Sequence, residues 1–349
     1  MEENPLIPTK VFNALPDPVL ALDSSRAIFF ANKAGKALLG EAIEGEDISM
    51  ALRQPVVLSL ADAALAGKHP KPGEIKISRG TAQIFEIQAT PIHGNERIKA
   101  LISIKDNTRI KQADEIRSTF VANVSHELRS PLASLLGFIE TLQGAAKDDP
   151  EARKKFLSIM ENEARRMSRL IDDLLSLSSV EVDEHVQPRE PVNLIPLLSD
   201  VVNVIQAQAV KKGIKFISDF PEHLPNIPGD VDQLTQVFQN LSENAMKYGR
   251  PESEIQIKIT IDHRLSENSA SDVMVSIRDQ GDGIPSKDLS RLTERFYRVD
   301  EARSRELGGT GLGLAIVKHI IGRHRGRLEI DSEEGVGSTF TVFLPTFEG

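Results

Sequence analysis

The chain contains no cysteine at all. Disulfide staples and cysteine-ligated metal sites are therefore excluded, and a reducing compartment is its natural setting. Long apolar runs are missing too, none approaching the ~18–20 residues that cross a bilayer. The opening MEENPLIPTK has neither a basic n-region nor an apolar h-region, so no secretory signal is expected. There is no excess of positive charge: the net charge is −9 and the pI about 5.5, which argues against general nucleic-acid binding. Internal repeats and low-complexity tracts are also lacking. What is left, 27% charged and 40% hydrophobic over 349 residues, is globular in composition and long enough for two or three domains.

Residues 8–107 read as a first unit. PVLAL (18–22) and AIFFA (27–31) are short buried strands divided by a turn at Asp23-Ser24-Ser25. Helical patterns follow in KAGKALLG and VVLSLADAALAG, then two longer strands at 82–90 and 98–105. Strands first, helices in the middle and a hairpin last suggest an α+β module. This order, with Asn32 closing the second strand, resembles a PAS sensor domain. His69 and His93 sit beside turn residues and read as surface rather than haem ligands, and a flavin photoadduct would need a cysteine. A ligand-holding sensor and a dimerising spacer without ligand both stay open. Asp106 and Thr108 match the D-x-T seen where PAS domains meet a following helix; they are also ordinary helix-start residues.

The stretch FVANVSHELRSPLASLLGFIETL (120–142) reads as an amphipathic helix. At about 100° per residue its apolar positions cover roughly half the circumference. His126 points away from that stripe, and Ser130 lies one turn further along, within about 40° of it. Pro131 lacks an N–H, so a bend is expected just past the histidine. Asp149-Pro150 signals the start of a second helix, which carries Phe156, Ile159, Met160, Met167, Leu170, Ile171, Leu174 and Leu175 at three- and four-residue spacing. Two antiparallel helices with broad apolar stripes cannot bury both by themselves. Pairing two such hairpins into a dimeric four-helix bundle solves this, which predicts a homodimer.

From about Val186 helices and strands alternate, with QPREP as a linker, predicting an α/β sandwich whose mixed sheet is covered on one face by helices. Three polar clusters punctuate it. In NLSENAMKYG, Asn240 and Asn244 share a helix face and suit a hydrated Mg²⁺, with Lys247 and Tyr248 on the next turn. In DQGDGIP, Asp279 leaves a strand end, and Gly281 and Gly283 let backbone approach a flat ligand closely. A fixed carboxylate there can accept from the exocyclic amine of adenine. In GGTGLGLAIVKHII, glycines run into a helix start, where N–H groups and the positive helix end suit phosphates. The preceding segment 299–307 reads as a lid. Each cluster alone has a bland reading as a cap, a turn or a loop.

Their conjunction does not. S-H-E-L-R-S-P-L, N-L-x-x-N-A-x-K-Y, D-x-G-x-G, R-F-Y-R and G-G-T-G-L-G-L, in that order over residues 110–346, resemble the sensor histidine kinases of two-component systems. The order of domains resembles most the bacterial phosphate-regulon sensor kinases. The resemblance implies a multidomain protein: a PAS sensor domain at 8–107, an antiparallel helical hairpin for dimerisation and histidine phosphotransfer at 108–185, and a Bergerat-type catalytic ATP-binding domain at 186–349. It implies ATP and Mg²⁺, autophosphorylation of His126, and transfer to an aspartate on a response regulator receiver domain. Catalytic roles fall to His126, Glu127 as acid/base partner, and Ser130, at the position associated with hydrolysing the phosphorylated regulator. Nucleotide binding falls to Asn240, Asn244, Lys247, Tyr248, Asp279, Gly281, Gly283, Thr310, Gly311, Leu312 and Gly313, with Asn240 on the metal. Phe296 and Arg298 match the family's F-box, while Thr293 stands where many members have phenylalanine. Ser130 replaces the commoner threonine or asparagine but keeps a hydroxyl. The expected setting is the cytoplasm, either free or as the cytoplasmic part of an inner-membrane sensor whose anchor precedes residue 1 in a longer form. A silent ATP-binding scaffold and a clamp ATPase of the chaperone or topoisomerase kind are the rival readings.

Overall fold

The computed structural model describes residues 9–79, 81–182, 185–262, 271–300, 304 and 308–347. Of the expected lid, residues 301–303 and 305–307 lie outside these. The chain divides into two compact units, Met1–Ala122 and Asn123–Gly349. No helix among the described residues is long and apolar enough to cross a membrane.

The first unit runs α1 (Thr9–Asn13), β1 (Val19–Leu22), β2 (Ile28–Ala31), α2 (Lys33–Leu39), α3 (Ile48–Ala51), α4 (Pro55–Leu65), β3 (Gly73–Arg79), β4 (Thr81–Pro91) and β5 (Ala100–Asp106). Its antiparallel sheet has the order β2-β1-β5-β4-β3. Leu20, Leu22, Ile28, Ile48, Val57, Phe85, Ile87, Ile102 and Ile104 form its core. Asn32 is wholly buried there. Its Oδ1 accepts from the N–H of Val19 (2.9 Å) and of Gly35 (2.8 Å), and its Nδ2 donates to the carbonyls of Phe12 and Asp17. One amide thus ends β2, caps α2 and fixes the chain ahead of β1, leaving no buried polar atom of its own unpaired. Strand β3 was not expected: GEIKISR alternates, but its exposed Glu74 and Lys76 mark it as a charged edge.

Helix α5 (Thr108–Gln143) begins in the first unit, and its start is tied to the sheet. Asp106 Oδ1 accepts the Thr108 N–H (2.9 Å), and Thr108 Oγ1 accepts the N–H of Ile84 in β4 (2.8 Å). The helix then runs unbroken through Pro131.

In the second unit α5 turns back into α6 (Pro150–Val182). Asp149 Oδ1 accepts from the N–H groups of Glu151 and Ala152, both at 3.0 Å, which is the N-cap its sequence implied. Phe138 and Phe156 stack across the hairpin with ring centres 5.2 Å apart. There follow β6 (Glu190–Val192), α7 (Leu194–Val210), β7 (Lys215–Asp219), β8 (Ile227–Gly229), α8 (Val231–Tyr248), β9 (Glu254–Asp262), β10 (Asp272–Arg278), α9 (Ser286–Leu289), α10 (Gly313–Arg323), β11 (Arg327–Glu333) and β12 (Gly337–Pro345). The mixed sheet has the order β11-β12-β10-β9-β7, with β7 and β9 parallel. Burial alternates along β9 and β10, so Ile255, Ile257, Ile259, Val273, Val275 and Ile277 face the core. Helices α7, α8 and α10 supply the facing Leu198, Val201, Leu234, Phe238, Leu241, Ile316 and Ile320. The linker expected at QPREP is in part strand: Glu190–Val192 pairs with β8 in a small two-stranded sheet.

Candidate functional site

Helix α8 begins at Asp230, whose carboxylate accepts the Gln233 N–H (3.1 Å). Its apolar stripe, Leu234, Val237, Phe238, Leu241 and Ala245, is buried. Asn240, Asn244 and Lys247 fall on the flank of that stripe and line a cavity of about 390 Å³. Neither asparagine amide makes a hydrogen bond to another described residue, so both amide oxygens can serve a ligand. Asn240 Oδ1 lies close enough to Gly313 that a Cβ there would meet it at 3.0 Å. Lys247 Nζ pairs with Glu243 at 3.2 Å, and the Tyr248 hydroxyl with Ser304 at 3.1 Å.

Asp279 follows the end of β10 and is 4% exposed. Its Oδ1 accepts the N–H of Gly281 (2.8 Å) and of Ser338 (3.3 Å), while Oδ2 accepts none from the described residues. Burial pushes its carboxyl above the usual range, and the two backbone N–H groups oppose that. A buried carboxylate with one oxygen held and the other unused is equipped to take a hydrogen bond from a ligand.

The glycine-rich loop enters α10 without a side-chain cap. Gly311 has φ +76°, and a Cβ on it would meet Phe296 Cα at 2.9 Å. The Phe296 N–H bonds the Gly311 carbonyl (2.8 Å), so R-F-Y-R and the glycine loop are one piece.

Among the residues singled out by the sequence, the fold brings Asn240, Asn244, Lys247, Tyr248, Asp279, Gly283, Thr310, Gly311 and Gly313 around this cavity. Gly281 and Leu312 do not line it; Leu312 is wholly buried. Nor do His126, Glu127 and Ser130. His126 and Ser130 stand exposed on α5. Glu127 is engaged elsewhere: Arg166 of α6 donates to its Oε2 at 2.8 Å, and Arg298 reaches both oxygens at 3.3 and 3.0 Å. Arg298, 5% exposed in its side chain, also donates to the Thr310 carbonyl (2.8 Å).

Three residues the sequence reading passed over line the same cavity from α6: Arg169, Asp172 and Asp173. Asp173 Oδ2 accepts the Thr310 hydroxyl at 2.6 Å. Glu163, Arg166, Arg169 and Asp173 recur at three- and four-residue spacing, a polar stripe beside the apolar one that could have signalled a second packed face.

A nucleotide-sized cavity with a buried carboxylate and a glycine-rich helix start, beside a hairpin bearing an exposed histidine, defines an ATP-dependent phosphotransfer protein. Comparison with known proteins is specific. Residues 229–348 match the family of histidine kinase-, DNA gyrase B- and HSP90-like ATPases, residues 116–182 the His Kinase A (phospho-acceptor) domain, and residues 9–68 the PAS domain. The phosphate regulon sensor protein PhoR of Pseudomonas aeruginosa is 37% identical over 336 residues, 95% of this chain and 73% of that protein. The sensor histidine kinase WalK of Bacillus subtilis is 37% identical over 255 residues, 72% of this chain and 40% of that protein. The fold is also similar to that of histidine kinase ThkA, solved with response regulator protein TrrA, with a TM-score of 0.51, 22% identity, and 98% and 99% of the two chains covered. The chain belongs to the sensor histidine kinases of two-component systems, and is an ATP-dependent protein histidine kinase.

Proposed function

We propose that His126 is the phosphorylated residue and that the cavity above binds Mg-ATP. The observation that carries this is the pairing of an exposed histidine on α5 with a cavity whose buried Asp279 keeps one oxygen unused. Asp279 Oδ2 accepts from the adenine amine; guanine offers a carbonyl at that position and is refused. Lys247 and the α10 amides meet the phosphates, with Tyr248 and Thr310 beside them. The Asn240 amide oxygen, supported by Asn244, fits Mg²⁺, which binds through few protein ligands and keeps waters and phosphate oxygens. When bound, that ion neutralises phosphate charge.

In the reaction the Nε2 lone pair of His126 attacks the γ-phosphorus. A P–N bond forms, the bond to the β,γ-bridging oxygen breaks, and ADP leaves. Glu127 orients the imidazole through Nδ1–H and stabilises the positive charge the ring acquires. Glu127 must first exchange Arg298 for the imidazole, and the nucleotide must travel with its domain to His126. The phosphoryl group then passes to an aspartate of a response regulator receiver domain. Ser130, one turn beyond His126, orients a water that hydrolyses the phosphorylated regulator, releasing inorganic phosphate and the free aspartate. The working form is a homodimer, with domain limits at 8–107, 108–185 and 186–349.

Incubation with γ-labelled Mg-ATP and a denaturing gel tests this. Acid-labile label on the parent protein, absent from His126→Ala, is expected; an unlabelled parent protein, or a labelled H126A, defeats it.

A further inference from the structure

Thr310 is held at both of its oxygens by groups linked to the hairpin. Its hydroxyl donates to Asp173 of α6 at 2.6 Å. Its carbonyl accepts from Arg298, whose other bonds go to Glu127 of α5. The loop that would receive phosphates is therefore occupied by a carboxylate belonging to the hairpin. Of the other cations lining the basin, Lys247 is paired with Glu243 and also faces Asp173, while Arg169 of the same hairpin stands against Gly308, where a Cβ would meet its guanidinium at 2.9 Å. Asp173 is half-buried, and burial pushes its carboxyl up, opposed by the Thr310 hydroxyl and Lys247.

We propose that Asp173 is a built-in competitor of nucleotide: the docked hairpin places its carboxylate where the phosphates belong, so that ATP binding and release of the hairpin are one exchange. This rests on the reading of the cavity as the Mg-ATP site. A carboxylate and a triphosphate cannot share a part-desolvated basin, because like charges a few ångströms apart repel strongly there. Phosphates that win Thr310 and Lys247 remove the Asp173 tie, and movement of Thr310 loosens Arg298 from its carbonyl and from Glu127. The same exchange then opens the loop, undocks α6 and frees the acid/base partner of His126. Affinity for ATP is held down by the tie, which gives a signal arriving along α5 something to release.

The test is calorimetric titration of the full chain with Mg-AMPPNP, for the parent, Asp173→Asn and Asp173→Ala, with Asp172→Asn as a control that removes a cavity charge without a Thr310 bond. Both Asp173 variants are expected to bind on the order of tenfold tighter, and D172N less than threefold. Hydrogen exchange on the parent protein supplies a readout free of mutation: Mg-AMPPNP should speed exchange in α6 around Arg169–Asp173. Unchanged or weaker binding in the Asp173 variants, an equal gain in D172N, or slower exchange in α6 on adding nucleotide overturns the proposal. Failure of the parent itself to bind Mg-AMPPNP instead defeats the reading of the cavity.

Discussion

His324, at the end of α10, is wholly buried, and its ring makes two bonds. Nδ1 lies 2.8 Å from the Ile320 carbonyl and so carries the proton, while Nε2 accepts the backbone N–H of Asp230 at 3.0 Å. Asp230 is the cap of α8, so a neutral imidazole links the end of the glycine-loop helix to the start of the asparagine helix. Protonation would set two N–H groups against each other. Burial holds the imidazole pKa below its ordinary value, with Asp230 opposing and Arg323 assisting. Above about pH 6.5 the ring is neutral whether the chain is folded or not, and its contribution is fully present. Below that the unfolded chain takes up a proton that the folded one refuses, so stability falls with pH at up to ~1.4 kcal/mol per unit until the folded ring titrates. Urea denaturation from pH 7.5 to 5 should show this slope, and His324→Phe should lose it. H324F should also cost ~1–3 kcal/mol at pH 7.5 for the stranded Asp230 N–H. Equal slopes in the two proteins would dismiss the role. Nothing in the sequence announced it: a histidine within IIGRHRGR reads as surface, and what buries it is a partner ninety-odd residues away. By contrast Asn240, Lys247 and Asp279 were legible, because their partners in chemistry stand within a turn or a strand end of them. Asp173 and Arg166 were not, because their meaning comes from a helix packing against another domain.

At the scale of elements, the glycines of DQGDGIP also pack against the chain's own backbone. A Cβ on Gly281 would meet the Tyr248 carbonyl at 2.5 Å, and one on Gly283 the Glu333 carbonyl at 2.0 Å. The space their missing side chains leave is filled by the chain's own backbone. The loop is sandwiched between the end of α8 and the β11–β12 turn, with Gly335 N–H on the Asp282 carbonyl (2.8 Å) and Ile284 N–H on Ser332 Oγ (2.8 Å). That packing is what sets Asp279 against the cavity. Gly283 adds φ +72°, where an L side chain is strained. Gly283→Ala should therefore lower stability by ~2–4 kcal/mol and weaken Mg-AMPPNP binding together, since the loop must move to admit a methyl group. Melting curves and calorimetry on the same preparation check this; a G283A protein of parental stability would mean the loop yields freely. The glycine positions were readable in the sequence, but their neighbours were not, because turn chemistry specifies a backbone conformation and not what packs on it.

For the whole molecule, the second unit leaves apolar side chains on one hairpin without a partner. Leu136 is 53% exposed and Leu175 66%, and Leu132, Ile139 and Ile171 are exposed beside them in sequence at helical spacing. Within one chain α5 and α6 satisfy only part of their stripes, as the spacing of those residues implies. A second hairpin related by a two-fold axis would cover what remains, and each substitution in such an interface would be felt twice. Burying one leucine contributes ~1.5–3 kcal/mol, and a charge in its place adds a desolvation cost. Leu136→Glu combined with Leu175→Glu should thus weaken dimerisation by at least ~10²-fold, four altered side chains being involved in each dimer. Sedimentation velocity at micromolar concentration should show the parent as a dimer and the variant as a monomer. Mg-AMPPNP affinity should be kept within about threefold, because none of the cavity residues lies on that stripe. A variant that stays dimeric would place the interface elsewhere and leave these leucines without an explanation.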